Sequence, residues 1–305
     1  MKKPEKSRKN ESIRAKKTRS SPLALPSAPR APVDKSGVLD ELDGLIGLDE
    51  VKKQVRKTIN LVRLGQERAR KGLPRIDVTY HLVFTGNPGT GKTTVARIVG
   101  RVYKEIGLLK SGHMVEVDRG DLIAQYIGQT ASKVKEVVAR AIDGVLFIDE
   151  AYTLAPTGTA NGFGAEALAA LLTAMDENRE RLVVIAAGYK DEMDRMIESS
   201  PGLKSRFKTF IDFEDYGAAD LFRIIVHMGG DAGVRFSEDA QIAVANLMES
   251  LDTGKKGFGN GRTVRNIFEQ CLVRQAQRLS DGHKRIDVTV LETADIPKPG
   301  EMVFS

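Results

Sequence analysis

Tyr80-His81-Leu82-Val83-Phe84-Thr85-Gly86-Asn87-Pro88-Gly89-Thr90-Gly91-Lys92-Thr93-Thr94 is the stretch on which the fold turns. It opens as a short, mostly apolar run, the pattern of a strand buried on both faces. It then passes into Gly, four residues, Gly-Lys-Thr, the phosphate-loop pattern. Glycines let backbone N–H groups converge on phosphate oxygens. A helix beginning near Lys92 offers its positive end to the same anion. The Lys92 ammonium can bridge β- and γ-phosphates, and the Thr93 hydroxyl can ligate Mg²⁺. A plain glycine-rich turn is the competing reading, but the position between strand and helix is the one this chemistry requires.

Val145-Leu146-Phe147-Ile148-Asp149-Glu150 follows about 57 residues later. Four apolar residues predict a second buried strand. Its two acids emerge at the C-terminal end, where ligands bind in open α/β sheets. Asp149 can hold the shell of a Mg²⁺ ion, and Glu150 can polarise an attacking water. Further strands are predicted at Met114–Val117, Leu182–Ala186 and Phe210–Phe213, with helical segments between most of them. That alternation predicts an α/β fold with a mainly parallel five-stranded sheet covered on both faces. Val51, Val55, Ile59 and Val62 recur at helical spacing within 49–71. Beyond Tyr216 the pattern turns helical, at 217–229, 237–251 and 263–280, with Ser237 as a helix N-cap. The expected organisation is a tail over 1–37, an α/β domain over 38–215 and a small all-α domain over 216–305.

The tail stands apart in charge. Residues 1–35 hold eleven Lys and Arg against three acids, a balance of +8. The whole chain carries +6, so the remainder carries −2. Five of the eleven prolines lie in the same segment. Such a composition predicts disorder. A solubilising tail and an electrostatic handle for nucleic acid or an acidic partner both fit it. Against an organelle transit peptide stand Glu5, Glu11 and the lysine richness. No apolar stretch approaches the roughly 20 residues of a membrane span. The single cysteine, Cys271, excludes an intrachain disulfide framework and reads as an inert buried thiol. His81, His113, His227 and His283 show no ligand spacing, and no transition-metal site is expected.

With both motifs in hand, the chain resembles the AAA+ ATPases. "FTGNPGTGKTTVA", "AQYIGQT", "GVLFIDEAY", "VIAAGY" and "GNGRTVRN" are similar to the family that contains red-type rubisco activases and stage V sporulation protein K. The likeness covers about residues 38–285. It implies an AAA+ nucleotide-binding domain followed by a helical lid, with ATP and Mg²⁺ as ligands. Nucleotide contacts are implied for Ile46, Gly47, Asn87, Pro88, Gly89, Thr90, Gly91, Lys92, Thr93, Thr94 and Arg262. Thr93 and Asp149 would hold the metal, and Glu150 the attacking water. Arg206 would be the arginine finger for the neighbouring subunit, with Arg195 and Lys204 as alternatives. Arg262 would be the sensor on the lid, with Arg265 as its competitor. Many AAA+ members carry Asn or Thr at sensor 1, where this chain has Gly188-Tyr189, so that role stays unassigned. Tyr126, Ile127 and Gly128 would form a pore loop that grips a substrate peptide.

The resemblance further implies a homo-oligomeric ring, a hexamer, that hydrolyses ATP in the cytoplasm or a plastid and remodels a protein. An inhibited rubisco large subunit is the first substrate candidate. A nucleic-acid-linked ATPase using the basic tail is the alternative, against which the −2 body and the aromatic pore segment argue. A nucleotide-dependent scaffold without hydrolysis is a third, opposed by Glu150 and Arg206.

Overall fold

Three strands of this protein are apolar on both faces, and their neighbours follow from that. The computed structural model describes residues 37–74, 79–124, 126, 128–155, 162–280 and 287–301. The basic tail through residue 36 and the pore-segment residue Ile127 lie outside the described residues. Strands β1 (Leu82–Gly86), β2 (Met114–Val117), β3 (Gly144–Ile148), β4 (Leu182–Gly188) and β5 (Thr209–Phe213) form one sheet, in the order β2-β3-β4-β1-β5. Every pairing is parallel. The expected α/β fold with a five-stranded sheet is what forms, and each strand lies within two residues of its sequence reading.

Side-chain alternation divides the core in two. Val83, Leu146, Ile148, Val184 and Ala186 point to one face, where helices α4 (Arg119–Leu122), α5 (Thr130–Ala141) and α6 (Gly162–Glu177) cover them with Leu122, Val134, Val138, Leu171 and Met175. Phe84, Val145, Phe147, Val183 and Ile185 point to the other. There α1 (Val38–Gly44), α2 (Asp49–Arg70) and α3 (Lys92–Glu105) contribute Leu42, Val55, Ile59, Ile98 and Val102. Each fully buried aliphatic or aromatic side chain stabilises the fold by about 1.5–3 kcal/mol. Between β4 and β5 the chain forms α7 (Lys190–Glu198) and α8 (Pro201–Arg206) and passes over β1. The direction of winding therefore reverses next to β1, and the carboxyl ends of β1, β3 and β4 border the resulting crevice.

The last third packs on its own core. Helices α9 (Ala218–Asp231), α10 (Glu238–Glu249) and α11 (Gly261–Ser280) bury Leu221, Ile225, Val244, Leu247, Ile267 and Cys271. Ser237 caps α10, its Oγ accepting from the Ala240 N–H at 3.3 Å. Burial pushes the Cys271 thiol up to about 12. Two short strands, β6 (Arg235–Phe236) and β7 (Val290–Leu291), add a parallel ladder that the helical reading did not include. Asp295 is buried and paired with Arg278 at 2.8 Å, which fastens the segment after β7 to α11.

Candidate nucleotide site

At the crevice lies a cavity of about 310 Å³. Its wall draws on five places in the chain: the loop after β1 with the head of α3, the end of β3, the end of β4, Met228 of α9, and the start of α11. The loop after β1 supplies Gly86, Pro88, Gly89 and Gly91, and the head of α3 supplies Lys92, Thr93 and Thr94. Two glycines are sterically required there. A Cβ on Gly86 would stand 2.2 Å from the Phe213 carbonyl oxygen, and one on Gly89 would stand 2.1 Å from that of Gly259. Gly89 also has φ 72, a left-handed backbone that costs other residues energy.

Lys92 is folded back over the loop, its Nζ donating to the carbonyls of Gly86 and Asn87 at 2.8 Å each. Burial lowers its pKa to about 8, partly opposed by the Asp149 carboxylate. A phosphate beside it would restore the ammonium form, because an opposite charge favours the charged state. Thr90 is fully buried and spends its hydroxyl on the Asn87 carbonyl at 2.8 Å. Asn87 points away from the cavity and donates to both Asp215 oxygens, at 2.8 and 3.0 Å. Asn87 and Thr90 therefore shape the loop with their side chains.

The strand β3 ends where its Asp149 N–H donates to the Val117 carbonyl at 2.9 Å. The chain then turns through Glu150 at φ 48 into a single 3₁₀ turn. That left-handed turn breaks the strand's alternation, and both acids line the cavity. Carboxylates and a threonine hydroxyl are oxygen donors suited to a hard divalent cation, so Thr93 and Asp149 fit the role of Mg²⁺ ligands. Sequence reasoning leaves the end of β4 open. Gly188 and Tyr189 line the cavity, and Tyr152 packs so closely on Gly188 that a Cβ there would stand 2.6 Å from its ring. The Tyr152 and Tyr189 rings are 6.1 Å apart. Burial, with Glu150 adding to it, pushes the Tyr152 phenol up to about 12. Lys256 stands 5.7 Å over the Tyr189 ring and pairs with Glu192 at 2.8 Å. Tyr152 escapes the sequence reading, although its place two residues after Glu150 is a usable signal.

From the lid, Arg262 and Arg265 both reach the cavity, one turn apart on α11. Ile46 and Gly47 are not among its lining residues. Their turn packs against the lid, and a Cβ on Gly47 would stand 2.7 Å from the Asp220 carboxylate. Arg206 lies away from the cavity at the end of α8. It donates to the Gly202 carbonyl at 2.9 Å and pairs with Asp176, which also holds Arg179 at 3.1 Å. The bond from Arg206, then that from Arg179, holds the Asp176 carboxyl below the usual range. Behind this cluster His81 accepts the Val184 N–H at 3.0 Å. Burial, with Arg206 second, pushes it down to about 4 and keeps it neutral. Tyr126 is 68% exposed beside Gly128 and is not among the residues that line the cavity. Among the described residues no group of His, Cys, Asp and Glu could hold a metal on its own, and no helix is long and apolar enough to cross a membrane.

Comparison with known proteins agrees with the two-part architecture, a sheet domain followed by a lid. The family described as "ATPase family associated with various cellular activities (AAA)" matches residues 82–215, and the AAA lid domain matches 217–304. The chain is 43% identical to Protein CfxQ of Xanthobacter flavus over 256 residues, covering 84% of this chain and 80% of that protein. It is 44% identical to Protein CbbX of Cereibacter sphaeroides over 254 residues, 82% of each. Stage V sporulation protein K of Bacillus subtilis is 36% identical over 270 residues, 86% of this chain and 84% of that one.

Proposed function

The chain belongs to the AAA ATPases, among the relatives of CfxQ, CbbX and stage V sporulation protein K, and on that footing we propose that it spends ATP on remodelling a protein within a ring of its own copies. One observation carries the reading. Lys92, Thr93, Asp149, Glu150 and Arg262 line one cavity, while Arg206 lies outside it. A site so arranged binds nucleotide alone but leaves its first candidate finger, Arg206, to serve another copy.

In this reading Lys92 and the loop amides hold the β- and γ-phosphates, and Thr93 and Asp149 would hold Mg²⁺. When bound there, the metal would supply positive charge to offset that of the transferred phosphoryl group. Glu150 orients the water and accepts its proton. Arg262 ties the phosphates to the lid, and Arg206 from the next subunit offsets charge in the transition state. Tyr126, with Ile127 and Gly128, contacts the substrate chain in a hexamer's pore. A cytoplasmic or plastid setting and an inhibited red-type rubisco are the finer parts of the proposal, supported by the sequence resemblance.

The test incubates purified full-length protein, MgATP and inhibited red-type rubisco, and follows recovery of carboxylation. Recovery that needs ATP and Glu150 supports the reading, and none across ring-forming conditions refutes the substrate. A nucleic-acid-linked ATPase is the second reading, favoured by the +8 charge of residues 1–35. A steeply salt-dependent affinity for DNA, abolished on deleting those residues, would favour it instead.

A further inference from the structure

The outer wall of the phosphate loop is built by the lid and by the linker that leads to it. Asn260, just before α11, is fully buried with a left-handed backbone, φ 45. Its Oδ1 accepts the Tyr216 N–H at 2.8 Å. Its Nδ2 faces three acceptors: Asp215 Oδ1 at 2.7 Å, the Phe258 carbonyl at 3.1 Å and the Pro88 carbonyl at 3.3 Å. Asp215 also receives both hydrogen bonds from Asn87, whose own Oδ1 accepts the Gly257 N–H at 3.1 Å. The Gly261 N–H donates to the Gly89 carbonyl at 3.1 Å, and the Tyr216 hydroxyl to the Thr90 carbonyl at 3.3 Å.

Three successive loop carbonyls, those of Pro88, Gly89 and Thr90, therefore each meet a donor from residues 216–261. A trans peptide sets its N–H opposite its C=O. The N–H groups of Gly89, Thr90 and Gly91 thus face away from these donors. The loop's phosphate-binding shape and the docking of the lid are parts of one hydrogen-bond network.

We propose that Asn260 and Asp215 are positioning residues for phosphate binding, holding the loop open to the anion whenever the lid is docked. Coupling of this kind is reciprocal. Phosphate in the loop favours the docked lid, and a lid swung away leaves loop carbonyls without donors and weakens phosphate binding. This rests on the loop being the nucleotide site, which Lys92→Ala tests separately.

The experiment uses the full chain and two variants. Asn260→Gly tolerates the left-handed backbone and removes the side chain. Asn260→Asp keeps the shape and sets a second carboxylate against Asp215 and the Pro88 carbonyl. MgADP and adenosine are titrated into each. Removing a buried hydrogen-bond donor at this position should weaken MgADP by about tenfold or more and leave adenosine within about twofold. The double variant Asn260→Asp, Asp215→Asn restores a donor between the two positions and should recover part of the MgADP affinity. Unchanged MgADP affinity, an equal weakening for adenosine, or a double variant no better than Asn260→Asp would overturn the proposal. If MgADP binding survived Lys92→Ala, the nucleotide reading itself would fall, whatever Asn260 does.

Discussion

The loop after β1 and the segment around Tyr126 both depend on glycines with left-handed backbones, and they are built in opposite ways. In the first, every carbonyl from Gly86 to Thr90 accepts a hydrogen bond from Lys92, Asn260, Gly261 or Tyr216, and Thr90 is fully buried. In the second, the flanks are fixed, with the Ala124 N–H on Thr130 Oγ1 at 3.3 Å and Lys133 on the Ile123 carbonyl at 3.0 Å. The aromatic at its centre is left 68% exposed. Stabilising a developing charge needs dipoles that are already in place. Holding varied peptides needs an apolar side chain free to adapt. In the proposed reading, the two loops divide these demands between them.

The contrast breaks most sharply at Arg206, which belongs to neither loop. As a finger, its removal should cut ring ATPase by about a thousandfold or more, with MgATP binding retained. Mixing Arg206→Ala with Lys92→Ala subunits should return some activity at mixed interfaces. Full activity from a demonstrated monomer would end the trans reading. Glu150→Gln comes next: hydrolysis should fall by about 10²–10⁴-fold while MgATP still binds, since only the water-orienting carboxylate changes. A variant that hydrolyses at the wild-type rate would remove Glu150 from the mechanism.

The third effect is set by pH. Lys92 in the free cavity is lowered to about 8, and bound phosphate draws it back to the ammonium form, so binding above that pH takes up a proton. MgADP affinity should drop by about tenfold between pH 7 and 9. Lys92→Arg, charged throughout, should give a flat profile over that range. A wild-type profile equally flat would mean that the lysine is not the titrating group. The smallest change in ATPase belongs to Tyr126→Ala, expected to leave basal hydrolysis within a few-fold while abolishing substrate remodelling. Remodelling at wild-type level would remove Tyr126 from substrate handling.

Much of this architecture is legible in the sequence because it is periodic or contiguous. The five strands announce themselves as apolar runs, and the loop and the Asp149-Glu150 pair each lie within a few consecutive residues. What is not legible joins distant polar residues. Asn87, Asp215 and Asn260 form one network, yet no period or spacing relates them. Asp176 meets Arg206 thirty residues away, from a helix whose pattern reports only its buried face. The ladder of β6 and β7 holds two residues per strand, too few for alternation to register. Ile46 and Gly47 carry the family's pattern, but their turn rests on the lid and not on the cavity wall.

The burial of Cys271 has a practical side. A thiolate is the form that attacks alkylating dyes, and a thiol with no exposure and a pKa near 12 presents almost none at neutral pH. Cysteines engineered onto the surfaces of α6 and α10 would then be the reactive thiols of the full-length chain. Donor and acceptor fluorophores could be attached there without first removing a native cysteine. The distance between the sheet domain and its lid could be followed through single turnovers in an otherwise unaltered protein.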